Sequence, residues 1–295
     1  MMSETQTQLK SEIKRWQQKL FRHSIRRKTK LNRIQTLLGN TAQLNCLEIS
    51  AGDGIISQSI RQHGGSWSTL AINEQAADSL QQQLHITIPA FDGTKLLFPD
   101  GHFDLLIIVD SLKNVADDYA FIQECHRIIN TTGWVLVSER RRSSASFVTL
   151  IQHLCNVAPD NLGCARNGYT RDQIYRILKD GFDVPETIFY SNALLETFAA
   201  FNDAIQRSIL KAPVWLTPKE SDQEMLYHYR RLSNLARFSY PLLWIASLIN
   251  IFPKHEMLLR SHRRKWRPRR QPKLIDGRSI ADATINTRIG SAAPF

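Results

Sequence analysis

The chain has 295 residues, 42% hydrophobic and 22% charged, the balance of an ordinary globular protein long enough for one well-buried domain with extensions or for two small ones. Its formal net charge is +11 and its pI about 9.7, which makes nucleic acid, a membrane surface or an acidic substrate the partner classes to weigh. The longest uncharged run, "FSYPLLWIASLINIFP" (238–253), carries two prolines and falls short of the roughly 18–20 residues that cross a bilayer, which excludes a membrane-spanning helix.

Residues 5–38 are polar and rich in helix formers, with Leu9, Ile13, Trp16 and Leu20 at helical spacing. They predict a basic amphipathic helix with a break near His23–Lys28. The positive excess is concentrated here (10–33) and in "RSHRRKWRPRRQPK" (260–273); no apolar signal-peptide core stands at the start. A strand–helix alternation follows. "QLNCLEIS" (43–50), "WSTLAI" (67–72), "ITIPAF" (86–91), "FDLLIIV" (103–109) and "GWVLVSE" (133–139) read as strands, and 54–63, 74–84 and 117–129 as helices. Short apolar strands separated by helices predict a parallel sheet covered on both faces.

Further on, 145–157 and 171–180 read as helices and "FDVPETIFY" (182–190) as an extended segment. A helical block, 193–252, is interrupted by "KAPVWLTP" (211–218), and "HEMLLRSHRRK" (255–265) supplies a final strand. The chain thus divides into a basic helical segment (1–41), a core (42–192), a helical insertion or cap (193–253), a last core strand (254–266) and a basic tail (267–295) whose composition reads as disordered. The four cysteines show no CxxC pair and no zinc spacing. They point to a reduced, cytoplasmic protein. No HExxH or paired ligand pattern predicts a metal.

The stretch "CLEISAGDG" (46–54) turns from a strand into a helix at the carboxyl edge of such a sheet, where ligands bind. Gly52 and Gly54 allow a tight turn and a close approach to a ligand. A pyrophosphate is the usual guest of such a turn, yet Glu48 and Asp53 would repel it. A cationic ligand, an ammonium or a sulfonium centre, removes the conflict.

At this point the chain resembles the class I S-adenosylmethionine-dependent methyltransferases. "CLEISAGDG" is similar to the family's E-x-G-x-G-x-G turn, with Glu48, Gly52 and Gly54 in place and Ser50 for the first glycine. "AINEQ" stands where an acidic residue holds ribose hydroxyls, with Asn73 in the usual Asp position and Glu74 after it. "AFDGTKLLFPDGHFDLLIIVDSLKNV" (90–115) is similar to the stretch linking strands three and four; the match implies that Asp92 meets the adenine amino group, Gly93 lies beside the ring, and Asp110 and Ser111 flank the methionine end. "FIQECHRIINTTGWVLV" (121–137) and "GYTRDQIYRILKDGFDV" (168–184) resemble later parts of the same fold, so the likeness covers roughly 43–190, with 255–265 as the last strand. Asn114 stands where many relatives carry His.

The resemblance implies an α/β, Rossmann-like, mostly parallel seven-stranded sheet with helices on both faces and a helical insertion before the last strand. It implies S-adenosyl-L-methionine as cofactor, with Ser50 and Asp53 also in its turn. No base is evident; Glu139, closing strand five, and Tyr169, in the turn "GCARNGYT" (163–170), are the two candidates, each set against a plain structural role. Methyl transfer is an in-line displacement that depends chiefly on alignment, so a missing base does not exclude an enzyme. The D/N-P-P-Y/F sequence of base-amino methylation is absent, as "DSLK" (110–113) follows strand four. The leading expectation is a methyltransferase acting on a small or lipid-linked acceptor, peripherally associated with anionic membrane at its inner face through the apolar block and basic ends. The alternatives are an RNA methyltransferase using the basic flanks as phosphate contacts, and a degenerate scaffold of the same fold.

Overall fold

The computed structural model describes residues 4–265 apart from 94, 143–146, 159–163, 210–221 and 250–252. "KAPVWLTP" and the basic tail therefore lie outside the described residues. Two helices come first, α1 (Glu4–Arg22) and α2 (Ile25–Leu38), with the break at His23–Ser24. Then follow β1 (Asn45–Ser50), α3 (Ile55–Ile60), β2 (Ser66–Ala71), α4 (Glu74–Leu84), β3 (Phe103–Val109), α5 (Asp118–Ile128), β4 (Ile129–Arg140), α6 (Phe147–Leu154), α7 (Arg171–Leu178), β5 (Phe182–Asn192), α8 (Ala193–Ile209), α9 (Asp222–Leu248) and β6 (Lys254–Arg263).

The described strands form one six-stranded sheet in the order β2-β1-β3-β4-β6-β5. The first four are mutually parallel, and β6 runs antiparallel between β4 and β5. Seven strands were expected; the difference is the run 86–91. Only one bridge forms there, Ala71 with Ala90. Pro89 has no N–H to give a ladder, and the segment exchanges just two backbone bonds with Ala71, from Ala71 N–H to the Pro89 carbonyl and from Phe91 N–H to the Ala71 carbonyl.

Alternation along the strands sends side chains to opposite faces. Leu47, Ile49, Leu106, Ile108, Val135 and Val137 meet α4, α5 and α7 through Leu80, Phe121, Ile122 and Ile174. Cys46, Leu105, Ile107, Val109 and Leu136 meet α2 through Leu31, Ile34 and Leu38, with Ile60 of α3 beside them. The leading helices are thus part of the fold. A third cluster joins Ile25 of α2 to Leu195 and Ala199 of α8 and to Leu243 and Ala246 of α9; a fourth packs Ile13 of α1 on Met225, Leu226 and Tyr229 of α9.

β1 is followed by β2 on one side and β3 on the other. The chain therefore reverses its direction of winding at the carboxyl end of β1, where open α/β sheets form a ligand crevice.

Candidate functional site

The turn after β1 is shaped by its small residues. Ser50 is buried, and its Oγ accepts the Gly52 N–H at 3.1 Å, so the serine side chain closes the turn from within. Gly54 has φ +84°, and a Cβ there would stand 2.7 Å from Gln83 Cβ; only glycine fits. A Cβ on Gly93 would meet nothing within 4 Å. Asn73 and Glu74, both exposed, follow β2, and Asn73 Oδ1 accepts the Ala76 N–H at 2.8 Å as the N-cap of α4. The Phe91 N–H donates to the Ala71 carbonyl at 2.8 Å, which sets exposed Asp92 and Gly93 beside the end of β2. Gly52, Asp53, Asn73, Glu74, Asp92 and Gly93 therefore lie along one edge.

Asp110 follows β3 on the same edge in a left-handed conformation, φ 53°, a backbone that non-glycine residues rarely hold outside functional or strained positions. Its oxygens lie 2.7 and 2.6 Å from Lys30 Nζ of α2, which is also 3.3 Å from Glu256 Oε2. Lys113 Nζ is 3.9 Å from Asp110 Oδ1. Burial would raise the Asp110 carboxyl, but Lys30 and then Lys113 outweigh it and hold it at about 2. Lys30 is held charged in turn: burial would lower it, and Asp110 and Glu256 carry it above its ordinary value. One helical turn before Lys30, Arg27 pairs with Asp53. Both carboxylates at the methionine end of the expected site thus face a cation of α2. Ser111 turns inward instead, fully buried, with its Oγ 3.1 Å from the Ile49 carbonyl and 2.9 Å from that of Val109.

Glu48 is not among the edge residues. It shares the face of Cys46, toward α2 and α3, is fully buried, accepts from Ser57 Oγ, and pairs with Arg61 Nη1 at 3.0 Å. Burial pushes its carboxyl up, opposed by Ser57 and Arg61. Glu139 is also fully buried, but on the opposite face. Its Oε1 accepts the Leu112 N–H at 2.6 Å, while Oε2 has no hydrogen-bond partner among the described residues. Burial pushes it up to about 7, with Lys113 lowering and Asp110 raising it. The Tyr169 hydroxyl lies 3.0 Å from both the Leu112 carbonyl and Asp118 Oδ2. It accepts from Arg166 Nη1 at 3.2 Å and so braces the loop that carries Asp110.

Arg27, Lys30, Lys113 and Glu256 belong to this arrangement and escape sequence reasoning. The signal for the first two is their three-residue spacing on one helical face; nothing local announces the third and fourth. Among the described residues, no group of three or more His, Cys, Asp or Glu is placed to hold a metal.

Residues 47–137 match a family model described as a methyltransferase domain. A ubiquinone biosynthesis O-methyltransferase from Nitrosomonas europaea is 23% identical over 128 residues, 41% of this chain and 54% of that protein. Another of the same description from Leptothrix cholodnii is 24% identical over 130 residues, 41% and 55%. The chain spans about half the length of these curated relatives. Among solved structures, a candidate sarcosine dimethylglycine methyltransferase from Galdieria sulphuraria has a TM-score of 0.51 at 15% identity, covering 81% of this chain and 85% of its own. The YcgJ protein of Bacillus subtilis has the same TM-score at 12% identity, covering 81% and 99%. At these identities the structures share the fold.

The placement of Glu48 gives a first expected outcome. Arg61→Ala leaves a fully buried carboxylate without its cation and lowers folding stability by about 3–5 kcal/mol in urea titration. A loss below about 1 kcal/mol would show that Ser57 alone satisfies Glu48.

Proposed function

We propose that this chain, whose residues 47–137 belong to the class I S-adenosylmethionine-dependent methyltransferase family, transfers a methyl group to an oxygen of a small or lipid-linked acceptor. The observation that carries the reading is the double pairing at the switch point, Asp53 with Arg27 and Asp110 with Lys30. The end of a free amino acid is a zwitterion, and this edge offers it both signs of charge. It also offers open backbone at Gly93 and exposed polar groups at Glu74 and Asp92, so the residues present fit the cofactor.

In this reading Asp92 takes the adenine amino group with Gly93 beside the ring. Glu74 takes the ribose hydroxyls, because the Asn73 oxygen is committed to capping α4. Gly52 gives close backbone, Asp53 and Asp110 attract the ammonium, and Arg27 and Lys30 the carboxylate. When bound, the cofactor supplies an electrophilic methyl on a sulfonium. The chain's own work is to align the acceptor in line with that bond and to take the proton that a hydroxyl acceptor must lose. Glu139 Oε2 receives the proton, since Oε1 is held by Leu112 and an acid near 7 suits a base at neutral pH. The oxygen acceptor follows the description of the curated relatives as O-methyltransferases.

A lipid-linked acceptor is favoured by one face of α9. Phe238, Leu242, Trp244, Ile245 and Leu248 are exposed there, Phe238 to 84%, with exposed Ile249 just past the helix end and exposed Arg231 and Arg237 on the same helix. No helix among the described residues is long and apolar enough to cross a membrane. An apolar face with basic neighbours suits the interface plane of an anionic membrane.

Three outcomes test these assignments. Calorimetry gives micromolar S-adenosylmethionine affinity, on the order of −8 kcal/mol, weakened about tenfold or more in Asp92→Ala and Glu74→Ala; tight competition by NAD, or no binding at all, sinks the cofactor assignment.

For Glu139, activity climbs as pH rises toward about 7 and then levels, since the carboxylate is the active form. In Glu139→Gln the climbing limb disappears with most of the activity. The folded state also retains a proton that the unfolded chain has released, so this residue's contribution to stability falls as pH rises from the ordinary carboxylate range to about 7. An unaltered pH profile in the variant would exclude Glu139 as the base.

For α9, Trp244→Glu and Leu248→Glu reduce sedimentation with anionic vesicles without changing the melting temperature. Full retention of vesicle binding in the folded variants would leave the face a plain surface.

A further inference from the structure

A groove of about 580 Å³, lined by none of the residues assigned to the cofactor, is bounded by Asp118, Arg142, Arg166, Gly168, Tyr169 and Arg176. Its floor is fixed. The Tyr169 N–H donates to the Arg140 carbonyl at 3.0 Å and the Arg142 N–H to the Tyr169 carbonyl at 2.8 Å. Gly168, at φ +103°, packs so closely on β4 that a Cβ would stand 2.5 Å from the Arg140 carbonyl oxygen. The groove therefore opens beside the carboxyl end of β4, on the ligand edge of the sheet.

Its charge is unbalanced in a specific way. Arg166 is consumed by the structure: its guanidinium donates to the Val115 and Ala116 carbonyls at 2.8 and 2.9 Å and pairs with Asp118 at 3.0 Å. Arg142 and Arg176 are exposed, and among the described residues neither has an acidic partner. Arg176 donates through Nε to the Asp172 carbonyl at 3.3 Å. Two guanidinium groups without an acidic partner among the described residues thus line a groove large enough for a whole small molecule.

We propose that this groove binds a phosphoryl group carried by the methyl acceptor, with Arg142 and Arg176 as its cationic ligands. Two forks of total charge +2 match a phosphoryl group, with a charge of roughly −2 and three acceptor oxygens, better than a single carboxylate. The Arg166 backbone N–H donates to the Lys113 carbonyl at 3.1 Å, so the groove and the Asp110 loop share a wall. A ligand held by its phosphoryl end here lies next to that loop. The acceptor identity rests on the methyltransferase reading; the anion site does not.

The probe is inorganic pyrophosphate, titrated into the full chain in low-salt buffer without lipid. Wild-type protein binds it, acetate binds at least about tenfold more weakly, and Arg142→Gln with Arg176→Gln weakens pyrophosphate about tenfold or more. S-adenosylhomocysteine affinity and melting temperature stay at wild-type values in the double variant, since both side chains are exposed. Pyrophosphate binding that survives the double substitution, or is absent from the wild type, overturns the site. If instead pyrophosphate fails to bind and the double variant loses anionic vesicles, the arginines serve lipid headgroups and the acceptor site is overturned. If S-adenosylhomocysteine fails to bind the wild type while the pyrophosphate results hold, the methyltransferase reading falls and the anion site remains.

Discussion

The Lys30 ammonium is the point on which the ligand edge depends. It joins three distant pieces of chain: α2, the loop after β3 through Asp110, and the start of β6 through Glu256. A buried charge without its partner costs several kcal/mol, so none of the three can be placed independently of the others. The same helix presents Arg27 to Asp53 and Arg26 to Glu196 and Asp203, each of the latter at 3.2 Å. One turn further on, Ile34 and Leu38 press into the sheet. Apolar burial sets how deep α2 lies, and the three cations set where it lies along the strand ends.

Two buried glutamates show how far the surroundings of identical side chains can differ. Glu48 and Glu139 both close apolar strands, and burial raises both. Glu48 has a hydroxyl and a guanidinium on its oxygens, so its charge is spent on holding α3 to β1. Glu139 has one backbone N–H and one oxygen without a partner among the described residues. A buried carboxyl left half-satisfied is poorly suited to stabilising a fold and well suited to exchanging a proton. Neither geometry nor burial alone makes that distinction; the inventory of hydrogen bonds does.

Much of the architecture was legible because the strands are short, apolar and bounded by turns, and because unbroken burial from Cys46 to Ser50 is what a strand covered on both faces shows. The run 86–91 misled because its apolar content resembles a strand while Pro89 denies it a ladder. The glycine turn, Asn73, Glu74 and Asp92, which local spacing singles out, lie along one edge of the sheet. The orientation of Glu48 was readable in principle, since it shares the face of Cys46, but its partner Arg61 is chosen by how α3 packs. Lys30 and Asp110 are 80 residues apart in the chain, and no local pattern can announce such a pair. Their meeting follows from α2 docking on the sheet, which is a tertiary event.

In the helical block, α9 is packed along two of its sides. Met225, Leu226 and Tyr229 are covered by α1, and Leu243 and Ala246 by α2 and α8. Those contacts satisfy the helix's structural need. Phe238, Leu242, Ile245 and Ile249 recur at helical spacing on the side left open, and polar residues there would fold equally well and dissolve better. Scattered exposed apolar residues need no explanation; a row of them on one face of a helix already anchored by its other faces does. The apolar content of the block therefore exceeds what its packing against the other described elements requires.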